Sequence, residues 1–146
     1  IPSLYGFLPR TYSKEESSKV AMESLKRTGL VGDEDPIDIC ILTDRHILHG
    51  DILLEARPIG GLRMIDHGEV DDKIIAVLKD DATYGDMKDI SQVAEKTLES
   101  LRHYFLTYKQ IPGSKEEKKV EIAEIYDAVK AMDVINAGER DYLKYF

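Results

Sequence analysis

The chain has 146 residues, 42% of them hydrophobic and 33% charged, enough for one globular core and too few for two independent ones. Twenty Lys and Arg stand against 28 Asp and Glu, a net charge of −8 that argues against nucleic-acid binding, and no basic run offsets it. The longest apolar run, at 74–78, is far short of the roughly 20 residues a membrane-spanning helix needs.

A single domain over 1–146 is therefore expected. Cys40, the one cysteine, sits in an apolar stretch without a disulfide partner, which fits a reducing cytoplasm. The chain opens at Ile1 with neither Met nor a leader pattern, so a preceding segment is expected to be missing. In chain order, Ser13 and Glu16 form a capping-box pattern ahead of a helix at 14–27. Its thin apolar face of Ala21, Met22 and Leu25, with Gly29 and Gly32 beyond, predicts a helical surface insertion over 13–30. From Ile37 the period becomes two, and strands are predicted at 37–42, 52–57, 62–65, 73–78 and 119–125. Short strands at this spacing suggest a barrel. A helix at 91–109 carries Ala94, Leu98, Leu101, Phe105 and Tyr108 on one stripe, with Asp89 able to cap it. A last helix spans 127–145, where Gly138 costs about 1 kcal/mol relative to Ala and is a point of division.

Three groups of residues could carry chemistry. Asp33, Glu34, Asp35 and Asp38 crowd the entry to a strand that otherwise reads as buried. Carboxylates so close raise one another's pKa unless a cation or hydrogen bonds hold their charge, and a hard divalent cation would do so. An EF-hand is excluded, since Gly is absent from its sixth position and Glu from its twelfth. The second group, Asp66-His67-Gly68-Glu69-Val70-Asp71-Asp72-Lys73, is read as the connection between two strands, with Asp71 and Lys73 sharing parity. Brought together, the two groups offer acids for metals and a cation for an anionic substrate, an arrangement suited to phosphoryl transfer. The third is Tyr108-Lys109 at a helix end, a phenol and an ammonium able to donate to phosphate oxygens. Each group alone also reads as an ordinary solvated turn or helix end. His46 and His49 read as surface loop rather than metal pair, and Gly60-Gly61 as a bend or bulge rather than a phosphate loop.

These residues match a known pattern. Asp33-Glu34-Asp35-Pro36-Ile37-Asp38 resembles the D-G-D-P-x-D signature of the family I soluble inorganic pyrophosphatases, with Glu34 in place of Gly. Tyr5-Gly6-Phe7 resembles the family's Tyr-Gly segment, Arg57-Pro58-Ile59-Gly60-Gly61-Leu62-Arg63-Met64 its R-P-x-G-x-x-x-M strand, Asp66 with 71–77 its next loop and strand, and Tyr108-Lys109 its Y-K pair.

The resemblance implies a mainly β, α+β fold: an OB-like closed barrel with flanking helices. It also implies Mg²⁺-dependent hydrolysis of pyrophosphate by a metal-activated water, with roughly three or four Mg²⁺ ions at the site. By that resemblance Asp33, Asp38, Asp66 and Asp71 are metal ligands, Asp35 is the general base, and Tyr5, Lys73, Tyr108 and Lys109 bind phosphate. A homo-oligomer is implied, hexameric if the chain is of the bacterial type. Members begin several strands earlier, in a segment supplying further phosphate and metal contacts, so residues 1–146 alone are expected to be poorly active. Departures are Glu34, His67 where many members have Glu, Ile1 at a position often Tyr, and the length of 13–30. The alternative is a catalytically silent metal-binding module of OB type.

Overall fold

The computed structural model describes residues 3–47, 50–108 and 120–146. Its frame is set by β5 (Glu69–Leu78), from which every residue after Glu69 is buried. On one side β5 pairs in parallel with β3 (Asp38–Leu42), and on the other it pairs antiparallel with β4 (Ala56–Asp66). A strand flanked on both edges and covered on both faces has no polar side to show, so Ile74–Leu78 reads as a continuous apolar run rather than an alternation. Outside these lie β1 (Leu4–Phe7), antiparallel to β3, and β6 (Val120–Asp127), antiparallel to β4, giving the order β1-β3-β5-β4-β6. The two-residue β2 (Val31–Gly32) pairs in parallel with the start of β5.

The closed barrel is the main correction to the sequence reading. Among the described residues the sheet is open, because β1 pairs only with β3 and β6 only with β4, and barrel closure would require those edges to be joined. The architecture among the described residues is α+β, a six-stranded sheet with three α-helices. Residues 52–55 do not form the strand predicted from their apolar content: Leu53 is 91% exposed, and no neighbouring strand pairs with them among the described residues. β4 and β5 are longer than expected because the turn between them is only His67-Gly68, with positive φ of 53° and 81°, between the paired Asp66 and Glu69. Both residues of a tight primed turn need φ above zero, which Gly gives freely and His tolerates. Residues 69–73, read as part of a connection, are therefore strand.

Helices cover both faces. On one, α2 (Glu95–Thr107) lays Leu101 and Phe105 on Cys40, Leu42, Leu62, Met64, Ile75 and Val77. The helix starts later than predicted because Ile90–Gln92 is a separate 3-10 turn capped by Asp89, and Val93 is extended and buried in the same core. On the other face, α3 (Ala128–Tyr145) packs Ala131, Val134 and Ile135 on Ile37, Ile39, Ile41, Ile74 and Ala76. Gly138 does not divide α3: a Cβ there would lie 2.3 Å from Ile37 Cδ1, so glycine lets the helix approach the sheet. Helix α1 (Glu15–Leu25) packs on α3 and buries Ser17, Ser18 and Ala21, the last beside Ile65 and Val70 of the sheet. The capping box at Ser13 does not form; the fully buried Asp141 of α3 accepts from the backbone amides of Lys14, Glu16 and Ser17 instead.

Candidate active site

Strand parity assembles the site. Asp38 is opposite Lys73 in the parallel β3–β5 pair, and Asp71 lies two residues before Lys73, so all three project from the α2 side of the sheet, where Cys40 and Ile75 follow them. Tyr5 on β1 faces Cys40 in register and joins the same side. Lys73 is 2% exposed, and its Nζ donates to Asp38 Oδ2 at 2.6 Å, Asp71 Oδ1 at 2.8 Å and the Tyr5 hydroxyl at 3.1 Å.

Ahead of β3, the segment 33–36 turns tightly. Asp33 Oδ1 accepts from the Asp35 amide, and the backbones of Ser13, Glu34 and Asp35 are joined by Ser13 N to Asp35 O and Glu34 N to Ser13 O, both 3.0 Å. Glu34, where the resembled signature has Gly, adopts the left-handed φ of 62° and is paired to Lys14 at 2.9 Å. Glu34 thus holds, with a side chain present, a left-handed backbone of the kind glycine adopts freely.

Tyr5, Asp33, Asp35, Asp38, Asp66, Glu69, Asp71, Lys73 and Tyr108 line one cleft of about 240 Å³. Of the nine candidates, eight converge here; Lys109 lies outside the described residues. Glu69 was missed as a site residue, although its parity with Asp71 and Lys73 was visible in the sequence. Asp72 turns to the opposite face, where it accepts from Arg63 Nε at 3.1 Å and from the Tyr126 hydroxyl at 2.9 Å. His46 and Gly60-Gly61 do not line the cleft, and His49 lies outside the described residues. The glycines instead follow a bulge at Pro58/Gly60, as expected.

Six carboxylates around one ammonium leave the cleft strongly negative. Burial, then the charge of Asp71, pushes the Asp33 carboxyl up to about 7, against the pull of the Asp35 amide. Burial would lower Lys73, but Asp71 and Asp38 outweigh it and hold the ammonium above the ordinary lysine range. Burial and the hydrogen bond to Asp38 raise Tyr5, which remains a phenol that can donate. Among the described residues no three acidic or histidine side chains converge tightly enough to chelate an ion as placed; Lys73 stands between Asp38 and Asp71. The donor chemistry nevertheless fits a hard divalent cation, because the oxygens are carboxylate and their charge exceeds what Lys73 neutralises.

The sequence pattern described as inorganic pyrophosphatase matches residues 1–143. The inorganic pyrophosphatase of Chlamydia caviae is 50% identical over 148 residues, a match covering 99% of this chain and 68% of that protein. The chain belongs to the inorganic pyrophosphatase family. Members of this family are enzymes that hydrolyse pyrophosphate. Solved inorganic pyrophosphatases from Neisseria gonorrhoeae and Thermus thermophilus, 26% and 27% identical, superpose with a TM-score of 0.75 in each case, over 97% of this chain and 70% of theirs. No helix among the described residues is long and apolar enough to cross a membrane.

Proposed function

We propose that the chain hydrolyses pyrophosphate to two phosphates with Mg²⁺ as the cation, Asp33, Asp38, Asp66 and Asp71 as its ligands, Asp35 as general base, and Tyr5, Lys73, Tyr108 and Lys109 as phosphate contacts. The observation that carries the reading is the single cleft that gathers these acids, phenols and Lys73 from β1, the segment before β3, the start of β3, the end of β4, β5 and the C-terminal end of α2. Bound divalent ions, roughly three or four by family resemblance, would lower the pKa of the attacking water and neutralise phosphate charge. Asp35 is exposed at the turn and accepts the proton that this water gives up as its oxygen bonds to one phosphorus. The bridging oxygen leaves with the other phosphate, and Lys73, Tyr5 and Tyr108 donate to phosphate oxygens of the bound substrate throughout. Glu69 joins the acidic wall and is a further candidate ligand.

The same reading takes the active protein as a single-domain cytoplasmic homo-oligomer, hexameric if the chain is of the bacterial type. The silent-module alternative is disfavoured by the retention of both acids and donors around the cleft. The test is phosphate release from pyrophosphate with Mg²⁺, with Ca²⁺ and with excess chelator. Release with Mg²⁺ that chelator abolishes is expected; full activity in chelator would overturn the metal assignment, and none under any metal would restore the silent module.

A further inference from the structure

The side chain that ties the phosphate-facing donors together is itself apolar. Phe105, near the end of α2, is 2% exposed, and its ring meets three of them. The Tyr5 ring lies 6.1 Å away, tilted by 43°, and the Tyr108 ring 6.0 Å away, edge-on. Lys73 Nζ stands 5.7 Å from the Phe105 centroid and 5.7 Å from that of Tyr5, so the ammonium sits within reach of the electron-rich faces of both rings. Tyr104 completes the group, edge-on to Phe105 at 5.2 Å and stacked on Tyr108 at 5.2 Å.

None of these donors is fixed by its own backbone. Among the described residues β1 is the outermost strand of the sheet, and Tyr5 is 45% exposed; Tyr108 caps α2 and is 42% exposed. Lys73 reaches its partners through a flexible four-carbon stem. Phe105 is a rigid, buried ring in contact with all three. The geometry points to Phe105 as a positioning residue for pyrophosphate: it holds the Tyr5 hydroxyl, the Lys73 ammonium and the Tyr108 hydroxyl on one front, on the reading above that these three are the phosphate donors. Contacts made alike to substrate and transition state act on KM and leave kcat alone.

Phe105→Leu in the full chain, with Mg²⁺, tests this. KM for pyrophosphate is expected to rise about fivefold, roughly 1 kcal/mol at 1.4 kcal/mol per tenfold, with kcat within about twofold and the Mg²⁺ titration unchanged. Phe105→Met, whose flexible side chain refills the space, carries the same expectation if the Leu variant is too unstable to assay. Leu101→Val, a comparable loss from the same buried stripe of α2, should lower stability without moving KM. Binding of methylenediphosphonate, which is not hydrolysed, should weaken about fivefold in the Phe105 variants and not in Leu101→Val. Parental KM in both Phe105 variants, or an equal rise in Leu101→Val, would reduce Phe105 to a core residue and overturn the inference. A parent that bound the phosphonate but released no phosphate would sink the proposed function and leave this inference to the binding series.

Discussion

Asp35 and Asp38 are three residues apart, yet the fold gives them different surroundings. Asp35 is on an exposed turn, while Asp38 is half-buried and accepts from Lys73. Asp35→Asn should therefore cut kcat by about 10²-fold, the usual size of a general-base contribution, and leave the Mg²⁺ requirement almost unchanged. Asp38→Ala should raise the Mg²⁺ concentration for half-maximal phosphate release; an identical titration in parent and variant would make Asp38 structural. Most of the site was legible from the signature at 33–38 and the parity of Asp71 and Lys73. Glu69 escaped because a carboxylate next to a Gly turn looks like any solvated hairpin residue, and only the extension of β5 back to Glu69 puts it on the cleft wall, where it stays exposed. Asp72 marks the opposite case, an acid in the same run whose parity sends it away from the cleft.

Among the elements, α1 and the turn at Asp81 each depend on one carboxylate. Asp141 is the acceptor for three amides at the start of α1, and Asp141→Ala leaves them, one buried and two part-buried, without it, so a loss of about 2–3 kcal/mol is expected in denaturant melts. A change below about 0.5 kcal/mol would show that water replaces the cap. No local pattern reveals this contact, since it spans more than 120 residues of sequence, and the Ser13 box looked sufficient without it. Asp81 accepts from the Thr43 hydroxyl and from the amides of Tyr84, Asp44 and Thr83. Burial pushes its carboxyl up, but these bonds prevail and hold it below the usual carboxylate range. A depressed folded-state pKa contributes stability above the unfolded value of about 4 and loses it as pH falls through the folded one. The melting-temperature gap between parent and Asp81→Asn should thus be constant near neutrality and shrink below about pH 4; a gap independent of pH would remove the carboxylate charge from the account. α3 was read almost to its ends, where Asp127 caps it, whereas the start of α2 was not, because Ala94 fits the apolar stripe although its backbone, like that of Val93, is not helical.

At the scale of the whole molecule, the sheet separates two polar assemblies that share β5. The cleft occupies the α2 side. Behind it Arg63, 1% exposed, is bonded to Asp72 and Glu124 and rests 4.9 Å from the centroid of Tyr126. Removing one member of a buried pair strands its partner's charge, so Arg63→Ala should cost about 3–5 kcal/mol of unfolding free energy by calorimetry or denaturant titration. A cost under 1 kcal/mol would mean that Asp72 is neutral or hydrated. Openness of the sheet was illegible, because strand lengths and spacing report how many strands exist and not whether the outermost two meet. The placement of Lys73 has one further consequence. An ammonium has three protons, and here all three already have acceptors, in Tyr5, Asp38 and Asp71. A phosphate oxygen arriving at Lys73 must evict one of them, so anion capture is an exchange of acceptors whose free energy depends on where the displaced carboxylate finds its next positive neighbour.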